Sequence, residues 1–114
     1  QFAIEAYLQA LELDPTKPEL KLQLGKVFYQ KNQFSQGQEL FKTIINHQPP
    51  AKTQTLTEAY YYLANSQRQQ KQYLSALENY EKLLSFLEPG DENFKTTTEE
   101  LQLVQQKLAE NQAD

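Results

Sequence analysis

Residues 18–49 read PELKLQLGKVFYQKNQFSQGQELFKTIINHQP, and the architecture is decided in this stretch. Leu20, Leu24, Val27 and Phe28 follow i, i+4, i+7 and i+8, the spacing of one apolar stripe on a helix. Pro18 falls near the first helical turn, where its missing N–H removes no helical hydrogen bond, and Thr16 is the expected N-cap. Gln30 to Gln33 is a turn. It contains Asn32, a residue that tolerates the left-handed conformation ending many helices. Phe34 to Ile45 returns as a second helix, with Gly37, Phe41 and Ile44 on its inner side, and Pro49 closes the unit. Two helices joined by so short a turn must run antiparallel. Gly37, inside a helix, costs about 1 kcal/mol relative to Ala, a loss that a close approach of two helix axes would offset.

The pattern recurs on both sides. Pro15 precedes Pro49 by 34 positions, and Ala3, Tyr7 and Ala10 stand at that offset from Gly37, Phe41 and Ile44. Downstream, Tyr60, Leu63, Ala64, Tyr73, Ala76, Tyr80 and Leu83 repeat it, ending near Pro89. Gly25 to Ala64 is 39 positions, so five residues are inserted between the two units. Pro49, Pro50 and the polar run to Thr57 hold that insertion as a linker over 50–56, since paired prolines cannot continue a helix.

In these offsets the chain resembles the tetratricopeptide repeat, a 34-residue helix pair with Leu-Gly and an aromatic in the first helix, and an aromatic, Ala, a second aromatic and Pro in the second. Asn32 and Lys71 stand where that family usually has Gly, and Gly37 where it usually has Ala. The resemblance implies an all-α fold: a short right-handed superhelical solenoid of antiparallel helix pairs with a terminal capping helix. Residues 1–114 are read as a single domain. Its parts are a half repeat over 1–15 (second helix only, Phe2 to Leu13), full repeats over 16–49 and 57–90, and a terminal helix over 96–112. The return helix of the second full repeat is expected from Tyr73 to Leu87. The terminal helix is expected to start from a capping box in which Thr is followed three residues later by Glu99 or Glu100, and to lay Leu101, Val104 and Leu108 along one face. Such a helix covers the last pair of a repeat array, whose apolar face would otherwise meet water.

The totals bound the function. A chain of 114 residues is long enough to bury one core. Its 39% apolar and 23% charged residues, at a mean hydropathy of -0.77, exclude a disordered chain and one embedded in a membrane. No run approaches the ~20 apolar residues of a membrane span. Because Gln1 opens the chain inside a helical pattern, a longer parent protein is expected, and no basic-then-apolar leader is present. With no Cys there is neither a disulfide framework nor thiolate chemistry, and the expected compartment is the cytoplasm. A net charge of -4 with scattered Lys and Arg argues against binding a phosphate backbone, so nucleic acid is not an expected partner.

Catalytic equipment is sparse. His47 is the only histidine and falls at the end of a helix, where it would meet the helix dipole or solvent; without Cys or a second His it cannot assemble a metal site. Asp91-Glu92 and Glu99-Glu100 lack the spacing of a calcium loop, and the three glycines are isolated, so no phosphate loop exists. No catalytic, cofactor or metal residue is expected, and the chain is not read as an enzyme.

A stronger signal lies in residues that the core stripes leave over. The resemblance implies a concave groove lined by the first helix of each repeat. Carried onto this chain, its places are Glu19, Leu22, Gln23, Lys26, Tyr29 and Gln30, then Glu58, Tyr61, Tyr62, Asn65, Arg68 and Gln69. Tyr60-Tyr61-Tyr62 spans three directions around a helix, so at most two rings share a core. The expected activity is a protein–protein interaction scaffold that takes an extended peptide or helix of a partner. Its groove is formed by Glu19, Leu22, Lys26, Tyr29, Glu58, Tyr61, Tyr62, Asn65 and Arg68, the rings offering apolar faces and Lys26, Asn65 and Arg68 offering donors. The alternative is a structural role for the same rings at the seam between repeats, or a spacer that self-associates through the exposed flank of the first helix, with Ile4, Leu8 and Leu11. The subclass that grips chaperone C-terminal carboxylates is disfavoured, since Leu22 and Tyr61 occupy the places of its lysines and only Asn65 matches.

Overall fold

A computed structural model describes residues 2–113, and side chains from 3 to 111; the ring of Phe2, which periodicity puts on the stripe of the first helix, lies outside the described residues. Among the described residues six helices follow in order: α1 (Phe2–Leu13), α2 (Pro18–Gln30), α3 (Phe34–Ile45), α4 (Thr53–Gln69), α5 (Tyr73–Leu84) and α6 (Glu92–Ala113). No strand is present among the described residues. Each helix packs on the next, and α2 also packs on α4. The molecule is elongated, 49 × 30 × 23 Å, and its radius of gyration of 14.8 Å exceeds the ~13 Å usual for a chain of ~100 residues. An all-α fold of stacked hairpins follows, compatible with a tetratricopeptide-like helical repeat.

The two inner hairpins end their first helices in the same way. After α2 the Gln33 N–H donates to the Phe28 carbonyl at 2.8 Å, and Asn32 N–H to Tyr29 at 3.0 Å; after α4 Gln72 donates to Gln67 at 2.8 Å and Lys71 to Arg68 at 3.0 Å. These paired bonds are the Schellman cap, which needs a left-handed residue at its centre. Asn32 (φ 62°) and Lys71 (φ 63°) supply it. Lys71 does so without the short polar side chain that eases Asn into this conformation.

Tyr80, Phe41, Leu24, Ile44 and Val104 are the large apolar side chains fully enclosed. One cluster joins Leu22, Phe41, Ile44, Ala59 and Leu63; a second joins Ala64, Ala76, Tyr80 and Val104, with Leu101 and Leu108 packed against it. Burying one such residue contributes about 1.5–3 kcal/mol. At the first crossing the approach is so close that a Cβ on Gly25 would lie 2.5 Å from the Phe41 ring, and one on Gly37 would lie 3.3 Å from the Gly25 carbonyl. The small residues therefore set the distance between α2 and α3.

Boundaries depart from the sequence reading in four places. The N-cap of α2 is Lys17, not Thr16, whose hydroxyl instead donates to Asp14 Oδ1 at 3.1 Å. α4 begins at Thr53, within the expected linker over 50–56, because nothing after Pro50 breaks a helix and Thr55 and Leu56 find packing there. α5 ends at Leu84 rather than Leu87; Phe86 and Leu87 turn back onto the carbonyls of Leu83 and Leu84. α6 begins at Glu92, not 96. Its cap is Asp91, whose Oδ1 accepts the Asn93 N–H at 2.8 Å, while Thr96 and Thr98 return their hydroxyls to carbonyls four residues earlier, as helix-interior Thr does.

Candidate functional site

The three residues of the Tyr60-Tyr61-Tyr62 run have three destinations. Tyr60 stacks on Phe86 with ring centroids 5.9 Å apart. Tyr62 stacks on Phe41 at 5.9 Å, meets Tyr29 edge-on at 5.3 Å, and has Lys26 Nζ 5.5 Å from its centroid. Tyr61 meets Tyr62 at 5.4 Å and directs its hydroxyl to Glu100 Oε1, 3.4 Å away. Tyr29 in turn meets Phe34 edge-on at 5.5 Å. An aromatic sheet thus runs from the end of α2 across the face of α4, each contact worth about 0.5–1.5 kcal/mol beyond area burial.

Charged groups bracket it. Lys26 and Glu58 pair at 3.5 Å between α2 and α4, both partly solvated, so the pair contributes under ~1 kcal/mol. On the other side Arg68 Nε donates to the Tyr80 hydroxyl at 3.1 Å, and that hydroxyl donates to Asn65 Oδ1. Burial raises the Tyr80 hydroxyl far above its ordinary value, against the opposing hydrogen bond from Arg68. Burial also raises Tyr29 and Tyr61; Tyr61 adds to the shift at Tyr29, while Asn65 opposes it at Tyr61. For Arg68, burial works against the charged form, yet the hydrogen bond to Tyr80 and the charge of Glu100 prevail and raise it.

Seven of the nine residues expected to line the groove are partly open: Glu19, Lys26, Tyr29, Glu58, Tyr61, Tyr62 and Arg68. Two are not. Leu22 is only 3% exposed and belongs to the core with Ala59 and Leu63, because α2 and α4 pack directly and enclose this position. Asn65, also 3% exposed, spends its amide oxygen on Tyr80 and so does not offer it to a ligand. Glu19 stands apart at the start of α2, away from the Tyr29–Tyr62 contact at the far end of that helix.

A cavity of about 230 Å³ opens where α4, α5 and α6 meet, with Glu58, Tyr61 and Tyr62 on one wall and Leu83, Leu87 and Asn93 on the others. Thr97 is fully buried against it, and among the described residues its hydroxyl has no hydrogen-bond partner; one turn on, outside the cavity lining, Glu100 Oε2 is likewise buried and without one. Sequence reading did not assign Asn93 or Thr97 to this cavity, since it treated the Thr-Glu run as a helix cap. Phe94 and Leu101, seven positions apart and so on one face of a helix, carried the missed signal of a helix already under way.

His47 Nδ1 donates to the Pro49 carbonyl at 2.7 Å. Among the described residues no group of His, Cys, Asp and Glu is arranged to hold a metal ion, and no helix is long and apolar enough to cross a membrane.

A family model described as TPR repeat matches residues 2–32, covering α1, α2 and the turn residue Asn32. The match supports the tetratricopeptide resemblance read from the offsets. No curated protein matches the chain. Repeats of this type generally mediate protein–protein interaction and are typically non-enzymatic scaffolds.

Proposed function

We propose that this all-α repeat protein, with its TPR-repeat match over residues 2–32, holds an extended segment or short helix of a protein partner against α2, α4 and the start of α6. The observation that carries the reading is the cavity of about 230 Å³ shared by Glu58, Tyr61 and Tyr62 with Asn93 and Thr97. Aromatic faces beside a solvated ion pair suit a side chain that inserts while its backbone stays near the rim. The contact set is Lys26, Tyr29, Glu58, Tyr61, Tyr62 and Arg68, with Glu19 at its margin and without Leu22 and Asn65. The division into a half repeat, two full repeats and a terminal helix, wound as a right-handed solenoid, belongs to the same proposal.

The test is affinity capture with the wild-type chain and with Glu58→Ala/Tyr61→Ala, which leaves the Arg68–Tyr80–Asn65 bonds intact. Loss of the captured proteins with an unchanged helical circular-dichroism spectrum is expected; equal capture overturns the assignment. Self-association through α1 is the second reading, favoured by Leu13 and Leu8, which are 90% and 48% exposed. Sedimentation that stays monomeric as concentration rises removes it.

A further inference from the structure

The second cavity, about 300 Å³, lies between the α4–α5 turn and α6 and shares only Arg68 with the contact set proposed above. Its charged lining is entirely basic: Arg68, Lys71 and Lys107 surround a wall made by Tyr73, Leu103 and Val104. This is a local inversion, since the whole chain carries -4. The two lysines have little else to satisfy them, whereas Arg68 already has the Tyr80 hydroxyl and the charge of Glu100. Arg68 commits Nε to Tyr80, and among the described residues its terminal nitrogens make no hydrogen bond. Among the described residues the Lys71 side chain makes neither ion pair nor hydrogen bond, and Lys107 meets only Glu110, at 3.7 Å with both groups more than half exposed. An exposed pair of that kind is worth little and exchanges readily.

Lys71 holds its left-handed backbone (φ 63°) as the centre of the cap that ends α4, at the rim of the pocket. Leu103, 53% exposed, leaves apolar surface open beside the cations. A ligand that fits must therefore present an anionic tip and an apolar body. At the small end of the ~300–1,000 Å³ range of binding cavities, the space takes one or two side chains. Polyanions such as nucleic acid or an anionic membrane would meet the acidic remainder of the molecule, whereas a single carboxylate would not.

We propose that the pocket bounded by Arg68, Lys71, Tyr73, Leu103 and Lys107 binds an acidic–apolar pair in a protein partner, a Glu or Asp carboxylate beside a Leu-sized side chain. The inference rests on the reading of the chain as protein-binding but not on the α2–α4 groove. The probe is an acetylated, amidated tetrapeptide of alternating Glu and Leu, titrated into nitrogen-15-labelled protein. Saturable shifts are expected for the amides of residues 68–73 and 103–107, with affinity falling about tenfold or more for the Gln-Leu analogue and for Lys71→Glu/Lys107→Glu. Lys107→Gln, a milder surface change, is expected to weaken binding by a smaller factor and guards against a folding defect in the double variant. Equal binding of the Gln-Leu analogue, undiminished binding to the double variant, or shifts confined to the residues around Tyr61 overturns the proposal. So does a response to phosphatidylserine vesicles with none to the tetrapeptide. The groove reading fails separately, through capture that survives Glu58→Ala/Tyr61→Ala.

Discussion

Lys71 makes a stability change and a binding change separable at one residue. Replacing it with Gly relieves the left-handed backbone, so Lys71→Gly should stabilise the chain by about 1 kcal/mol in denaturant unfolding while weakening the acidic tetrapeptide. Gly25 shows the opposite balance. Ala is the better helix former by about 1 kcal/mol, but its methyl would sit 2.5 Å from the enclosed Phe41 ring, and overpacking of this kind costs about 1–3 kcal/mol. Gly25→Ala should therefore lower the melting temperature. Thr97 carries a buried hydroxyl with no partner among the described residues, so the isosteric Thr97→Val should raise stability by about 1 kcal/mol. No change in melting temperature for Thr97→Val would mean that the hydroxyl finds a partner in solution. Little of this was legible at the residue level, because strain at Lys71 and the missing partner of Thr97 depend on which turn forms and which groups face it.

Between elements, the Tyr80 hydroxyl ties α5 to α4 by accepting from Arg68 and donating to Asn65. Its proton is held in the folded state above the ordinary tyrosine value of 10.0. As pH passes that value the unfolded chain releases the proton first, so the stabilisation is intact below pH ~10 and declines as pH climbs toward the raised folded value. Urea midpoints should fall above pH ~10. In Tyr80→Phe that fall should shrink, against a lower starting stability, since Arg68 and Asn65 lose their partner at a cost of about 1–3 kcal/mol. Helix existence was readable from apolar spacing in all six cases. The starts of α4 and α6 were not, because Thr-rich polar runs resemble both linkers and caps until a neighbouring helix buries Thr55 or Thr97.

At the scale of the molecule, the 39-residue spacing that relates Gly25 to Ala64 also relates Asn32 to Lys71, Phe41 to Tyr80 and Ile44 to Leu83. The two hairpins share core positions at these offsets, and they share a cap geometry that Lys71, in place of the usual Gly, had put in question. The candidate groove was only partly legible. Helical phase left Leu22 outside the core stripe of its own hairpin and the resemblance put Asn65 in the groove, but direct packing of α2 on α4 buries Leu22, and Tyr80 reaches across to claim Asn65. Both contacts join elements that a single-helix projection treats separately. What remains open is a band of tyrosine rings with charges at either end.

Seven tyrosines distribute usefully over this arrangement, some on the proposed contact surface and others packed elsewhere. The most direct test is a ring-labelled tyrosine NMR spectrum, recorded with and without a partner obtained by affinity capture. Shifts of Tyr29, Tyr61 and Tyr62, with Tyr7 and the enclosed Tyr80 unmoved, are the predicted result. Shifts of Tyr7 alone, or none among Tyr29, Tyr61 and Tyr62 while the partner is bound, would contradict it.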